Sequence, residues 1–136
     1  MKEKKENYLS KLGILAILVF FLLFNHKVTS NEFHSRIEGI YEYVANYETG
    51  PKASTQTKGH RVRVVFEDGD YFLLWGNLKV KAKRVANGLI YEWDLGDAFG
   101  EGIYIFYENH RKLFGTFQLS DKEGLHTGTT QGKRVK

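Results

Sequence analysis

Cysteine is absent from the sequence. That excludes disulfide staples, a thiol nucleophile, and a lipid anchor on a cysteine after an apolar leader. A domain built from this chain must therefore hold together by packing and by closure of its own backbone. Proline occurs once, as Pro51, in the polar stretch Glu48–Gly59, which reads as a loop. A long hydrophobic run is missing as well. The longest uncharged apolar stretch, Leu12–Phe24, falls short of the roughly 20 residues a membrane-crossing helix needs, and Asn25, His26 and Lys27 bound it.

Charge of one sign is also scarce once the first thirty residues are set aside. The chain carries 20 Lys and Arg against 16 Asp and Glu, with a pI near 9.2. Five lysines (2, 4, 5, 11, 27) and two glutamates (3, 6) fall in residues 1–30, so 15 basic and 14 acidic residues remain, a net of +1. So small an excess provides no broad electrostatic footprint for DNA or RNA, and nucleic acid is not an expected partner.

The first thirty residues follow the plan of an export signal: a Lys-rich start, a short apolar middle, and Val28, Thr29 and Ser30 at a cut site. Residues 1–30 are thus expected to be a signal peptide or a signal anchor, and residues 31–136 one exported domain. Its location would be periplasmic, extracellular or tethered to the outer face of a membrane. Membrane contact is expected only if the leader stays attached.

Beyond the leader, period-two alternation recurs and no helical period is found. In Ile37–Ala45, Glu38 and Glu42 share one face, with Gly39, Tyr41 and Tyr43 on the other. In His60–Phe66, Val62, Val64 and Phe66 oppose Arg61 and Arg63. Asp68-Gly69 and Asn87-Gly88 are hairpin turns. Tyr71–Trp75 is apolar on both faces, and Leu78, Val80 and Ala82 then alternate with Lys79, Lys81 and Lys83. Leu89, Tyr91, Trp93 and Leu95 share a face, Ile103–Tyr107 follows a Gly-rich connection, and Leu113, Gly115, Phe117 and Leu119 share the next inner face. A last weak strand runs Leu125–Gln131. The fold class is therefore all-β: eight short strands in an antiparallel meander. Closure into a barrel removes both exposed edges, whereas a two-layer sandwich would need more long connections than Glu48–Gly59.

Three segments resemble the lipocalin-type, or calycin-like, small barrels: Gly39-Ile40-Tyr41 in the opening strand, Gly69-Asp70-Tyr71 leading to Trp75, and Leu113-Phe114-Gly115-Thr116-Phe117 near the end. Tyr41 stands where those proteins usually have the tryptophan of Gly-x-Trp. The avidin pattern of biotin ligands is not visible. The resemblance implies a fold and an inclination to bind, and transfers no ligand and no site residue.

Motifs for chemistry are lacking. No Gly-x-Ser-x-Gly elbow and no His-x-x-x-His pair occurs. Gly96-x-x-x-Gly100-x-Gly102 does not open a helix, so it is no phosphate cradle. The carboxylates at 67, 68 and 70 bracket a turn, and those at 92, 94, 97 and 101 lack a calcium-loop pattern. No catalytic residue, metal ligand or cofactor is assigned. A hydrolase or isomerase would need an acid–histidine pair at a barrel mouth, for which only His60 and His126 are placed. The basic stripe Lys79, Lys81, Lys83 and Arg84 reads as a solvated face or as a site for an anionic partner.

The aromatic set carries the functional expectation. Tyr41, Tyr43, Trp75, Tyr91, Trp93 and Tyr107 fall on strands and have polar tips that need partners when buried. They suit a pocket for a small hydrophobic or aromatic ligand, against which stands a barrel packed solid. The second expectation is a cell-envelope interaction protein working through its outer surface, supported by an exposed apolar patch from Phe72, Leu74, Tyr104 or Phe106 and open to oligomer formation.

Overall fold

A computed structural model of the chain describes residues 37–136; the leader expected at residues 1–30 lies outside the described residues. Eight strands follow one another: β1 (Gly39–Thr49), β2 (Gln56–Glu67), β3 (Asp70–Trp75), β4 (Leu78–Val85), β5 (Gly88–Asp94), β6 (Phe99–Tyr107), β7 (Lys112–Asp121) and β8 (Gly124–Arg134). Each pairs antiparallel with the next, and β8 pairs back onto β1, so the sheet is a closed barrel. The expected all-β meander and its closure are both present. Among the described residues no helix is long and apolar enough to cross a membrane.

Alternation fills the interior. Tyr41, Val62, Val64, Tyr71, Leu73, Val80, Ala82, Leu89, Tyr91, Tyr104, Phe106 and Leu113 form one buried core. The small residues of β6–β8 are what admit the large rings. A methyl on Gly100 would stand 2.6 Å from the Trp93 indole, and one on Gly102 would stand 2.6 Å from the Tyr91 hydroxyl. Glycine at these two inward positions is the space those side chains occupy.

Three expectations change. The hairpin β1–β2 runs well into the stretch read as loop, pairing Ala45 with Thr57 and Asn46 with Gln56, so the connection shrinks to residues 50–55. Its polar strands hold by ladder bonds where no apolar pattern marks them. Asp68 and Gly69 both have positive φ, as a type I′ turn requires, but the β4–β5 hairpin turns one residue earlier than expected. Val85 pairs with Gly88, so Ala86 (φ 53°) and Asn87 are the central residues. Gly88 instead lies in β5, where a methyl would press on the Tyr104 carbonyl. Finally, Tyr104 and Phe106 point inward and are buried, while Ile103 and Ile105 join Ile90 in a separate small cluster. The apolar patch expected outside from Tyr104 and Phe106 is therefore part of the core.

The two ends of the barrel differ. One end carries the turns 68–69, 86–87 and 108–111 and the start of β1. It is shut. Tyr41 is fully buried there, and its phenol O–H is shared between the carbonyls of Ile37 (2.8 Å) and His110 (3.0 Å). The Glu38 carboxylate accepts the Phe66 amide at 2.7 Å, and the end of β8 closes over the start of β1 through Ile40 N to Lys136 O at 2.8 Å. The other end carries the connections 50–55, 76–77, 95–98 and 122–123 and is the mouth.

Candidate functional site

Rings on several strands converge inside the mouth because each occupies an inward position of its strand. They enclose a cavity of about 200 Å3. Its walls include Tyr43 and Tyr47 of β1, Trp75 of β3, Tyr91 and Trp93 of β5, Tyr104 of β6 and Phe117 of β7, and polar residues such as His60, Glu101, Gln118 and Thr130 share the lining. The rings contact one another in tilted and stacked pairs. Tyr91 stacks on Tyr104 (centroids 5.2 Å apart, 27° between planes), Trp75 tilts onto Tyr91 at 5.2 Å, and Tyr43 lies 6.1 Å from Tyr104. Each such pair contributes roughly 0.5–1.5 kcal/mol beyond its burial, so the wall is stiff without ligand.

Three phenols of this wall, those of Tyr43, Tyr91 and Tyr104, stay protonated. Burial raises the pKa of Tyr43, Tyr91 and Tyr104, most strongly for Tyr104, where the neighbouring Tyr91 and Tyr43 add to the effect. For Tyr43, the nearby Tyr104 hydroxyl and Trp75 indole partly offset the burial. No Lys or Arg of the described residues lines the cavity; the acidic member of its border is Glu101. The Thr130 hydroxyl, in a residue only 3% exposed, has no hydrogen-bond partner among the described residues.

The wall is split on one side. The β4–β5 ladder runs from Val85–Gly88 to Ala82–Tyr91 and stops; beyond it Leu78–Lys81 and Glu92–Asp94 make no pairs with each other. A wider cleft of about 960 Å3 follows this split on the outside and shares Leu78, Tyr91, Trp93 and Glu101 with the inner cavity. At the rim beside it, Leu95 and Phe99 expose 58% and 43% of their surface, so the approach to the cavity is partly apolar.

Of the six aromatic residues expected to form a site, the structure brings Tyr43, Trp75, Tyr91 and Trp93 together in this cavity. Tyr41 lies at the shut end, and Tyr107 points outward with 41% of its surface exposed. Tyr104, Phe117 and Thr130 were not in the expected set. Tyr104 could have been found from Gly100 and Gly102, which share its face and leave room for rings.

The two histidines considered for acid–base chemistry divide the requirements between them. His60 borders the cavity and stacks on Tyr43 (5.4 Å, 21°), but its Nε2 contacts the Thr57 hydroxyl at 2.9 Å. His126 pairs with Asp121 at 3.0 Å, yet it is fully buried and does not border the cavity; its Nδ1 has no hydrogen-bond partner among the described residues. The pair holds the Asp121 carboxyl below its usual range, chiefly through the contact with His126, and Asp121 also accepts the Glu123 amide at 2.9 Å across the β7–β8 turn. Donor atoms of Asp121, Glu123 and His126 lie within 4.8 Å of one another, a grouping the turn itself accounts for.

No family model matches the chain, and no curated protein matches it.

Proposed function

We propose that this protein is an exported, non-enzymatic binding module of the lipocalin-like (calycin) kind, which takes a small hydrophobic or aromatic ligand into the mouth of its barrel. The observation that carries the reading is the cavity itself: about 200 Å3, walled by stacked aromatic rings, at the open end of a barrel whose other end is shut. The apolar rim at Leu95 and Phe99 supports access by an apolar molecule. Export rests on the leader-like residues 1–30, and cell fractionation tests it.

Two measurements test the binding. Native mass spectrometry of protein purified from its own host should find a retained small molecule. Titration with naphthalene should quench or shift the emission of Trp75 and Trp93, the only two tryptophans in the chain. Ala45→Phe, which places a ring in the cavity wall, should abolish that response while leaving the fold intact. A bare mass together with an unresponsive emission overturns the reading.

A second reading is favoured by the split wall. The facing stretches Leu78–Lys81 and Glu92–Asp94 are unpaired with each other, which suits addition of a strand from a cell-envelope partner. Protection of these amides from hydrogen exchange on adding envelope extract, without change in tryptophan emission, would support it.

A further inference from the structure

The chemistry of the cavity border selects among ligands of the proposed size. Its walls are built from the rings of Tyr43, Trp75, Tyr91, Trp93 and Tyr104, and aromatic faces carry negative potential. Those phenols remain neutral, so they act as ring faces and dipoles and do not become anions. No Lys or Arg of the described residues borders the cavity, so an anionic head group brought inside would find no counter-charge.

The lip where the wall is split is acidic on its β5–β6 side, while Lys79, Lys81, Lys83 and Arg84 line the β4 side of the outer cleft. Glu101 borders both the cavity and the outer cleft, and Glu92 and Asp94 border the cleft beside it. Glu92 and Glu101 are directly opposite across β5–β6, an arrangement that costs stability in a sheet. None of the three has an ion-pair partner among the described residues. Of the four cations on that cleft, Lys79 pairs with Glu67 at 2.8 Å, Lys81 pairs with Asp70 at 3.4 Å, Arg84 donates to the Ala86 carbonyl at 3.0 Å, and Lys83 stands on the β4 side. A positive guest inside the cavity would meet the aromatic rings and Glu101, the one carboxylate on a border that holds no Lys or Arg of the described residues.

Resting on the binding reading above, we infer that the ligand class is a small organic cation, an alkyl- or aryl-substituted ammonium seated among the aromatic rings with Glu101 beside the opening. Ring faces around a desolvated ammonium give the strongest form of cation–π attraction. The volume sets the scale. A cavity of about 150 Å3 holds one benzene ring, and drug-sized ligands take roughly 300 Å3 or more. About 200 Å3 therefore suits a single ring or a compact branched ammonium and excludes long-chain lipids from full burial.

The test compares three benzyl compounds, two of them isosteric, by tryptophan emission of the whole protein. Benzyltrimethylammonium carries the cation, neopentylbenzene is its neutral carbon isostere, and phenylacetate carries the opposite charge. The cation should bind at least tenfold more tightly than the neutral isostere, and phenylacetate should not bind. Glu101→Gln should weaken the cation several-fold and leave neopentylbenzene unchanged, which separates loss of charge from loss of fold. Equal or tighter binding of neopentylbenzene or of phenylacetate overturns the cationic class while leaving the binding module standing. Failure of all three probes to bind, with naphthalene also silent, removes the binding reading itself.

Discussion

Gly128→Ala examines how the barrel is closed. Gly128 faces inward on β8, opposite Tyr47 of β1 and Phe117 of β7. An added methyl would stand 2.7 and 2.9 Å from two atoms of the Phe117 ring, where ordinary carbon contacts are about 3.5–4.0 Å. It would also overlap the Asn46 carbonyl oxygen. The ring can rotate away, but Asn46 sits in the β1–β8 ladder, so relief there requires the two strands to separate at the line where the sheet closes. Overpacking of a core costs roughly 1–3 kcal/mol when side chains alone must move. With backbone also displaced, the loss should be about 3 kcal/mol, out of the roughly 5–15 kcal/mol that holds a domain of this size. The melting temperature should fall by about 12–24 °C. Urea unfolding followed by the emission of Trp75 and Trp93 measures the loss. Adding Phe117→Leu should recover only part of it, because the carbonyl overlap remains. A midpoint shift worth less than about 0.5 kcal/mol, within the range of ordinary surface changes, or full rescue by Phe117→Leu, would refute the claim that closeness of the strands at this line fixes the glycine.

Other perturbations probe the shut end, a strained turn and an acid-sensitive contact. Tyr41→Phe removes the hydroxyl shared by the Ile37 and His110 carbonyls, and should cost about 1–3 kcal/mol in denaturant unfolding with no effect on probe binding at the opposite end. Ala86→Gly should stabilise the protein by about 1 kcal/mol, because Ala86 is exposed and held at φ 53°, where a Cβ is crowded; a loss of stability would count against that turn geometry. Asp121 has a folded pKa below the model-peptide value near 3.9, so its contribution is present above about pH 4 and is lost as pH falls through the lower folded value. Urea midpoints between pH 3 and pH 5 should therefore fall more steeply for the natural protein than for Asp121→Asn, and parallel curves would show that the His126 contact has no part in acid unfolding.

Strand number and closure were legible in the sequence where polar and apolar residues alternate cleanly. Val62, Val64 and Phe66 against Arg61 and Arg63, or Val80 and Ala82 against the flanking lysines, leave little choice of inner face. In β6 that signal vanishes, since Ile103–Tyr107 is apolar throughout. The inner face is chosen instead by Gly100 and Gly102, whose missing side chains make room for Trp93 and Tyr91 on the neighbouring strand. That is a relation between strands, which alternation within one strand does not contain. The extension of β1 and β2 toward the mouth was hidden for a different reason. Gln56–His60 is polar and mostly exposed, so its strand character comes from backbone pairing with β1. Of the site, Tyr43, Tyr91 and Trp93 could be read from their positions on alternating strands, and Trp75 as an aromatic closing a strand that is apolar on both faces. The split between β4 and β5 could not, because nothing in the residue types of Leu78–Lys81 or Glu92–Asp94 distinguishes a paired strand from a parted one.

The polarity of the barrel has a practical corollary. β1 begins and β8 finishes on the side away from the aromatic chamber, with Ile40 and Lys136 bonded to each other there. A tag, a solid support or a fused partner joined at Lys136 would thus hang from the floor of the cup and leave its brim unobstructed.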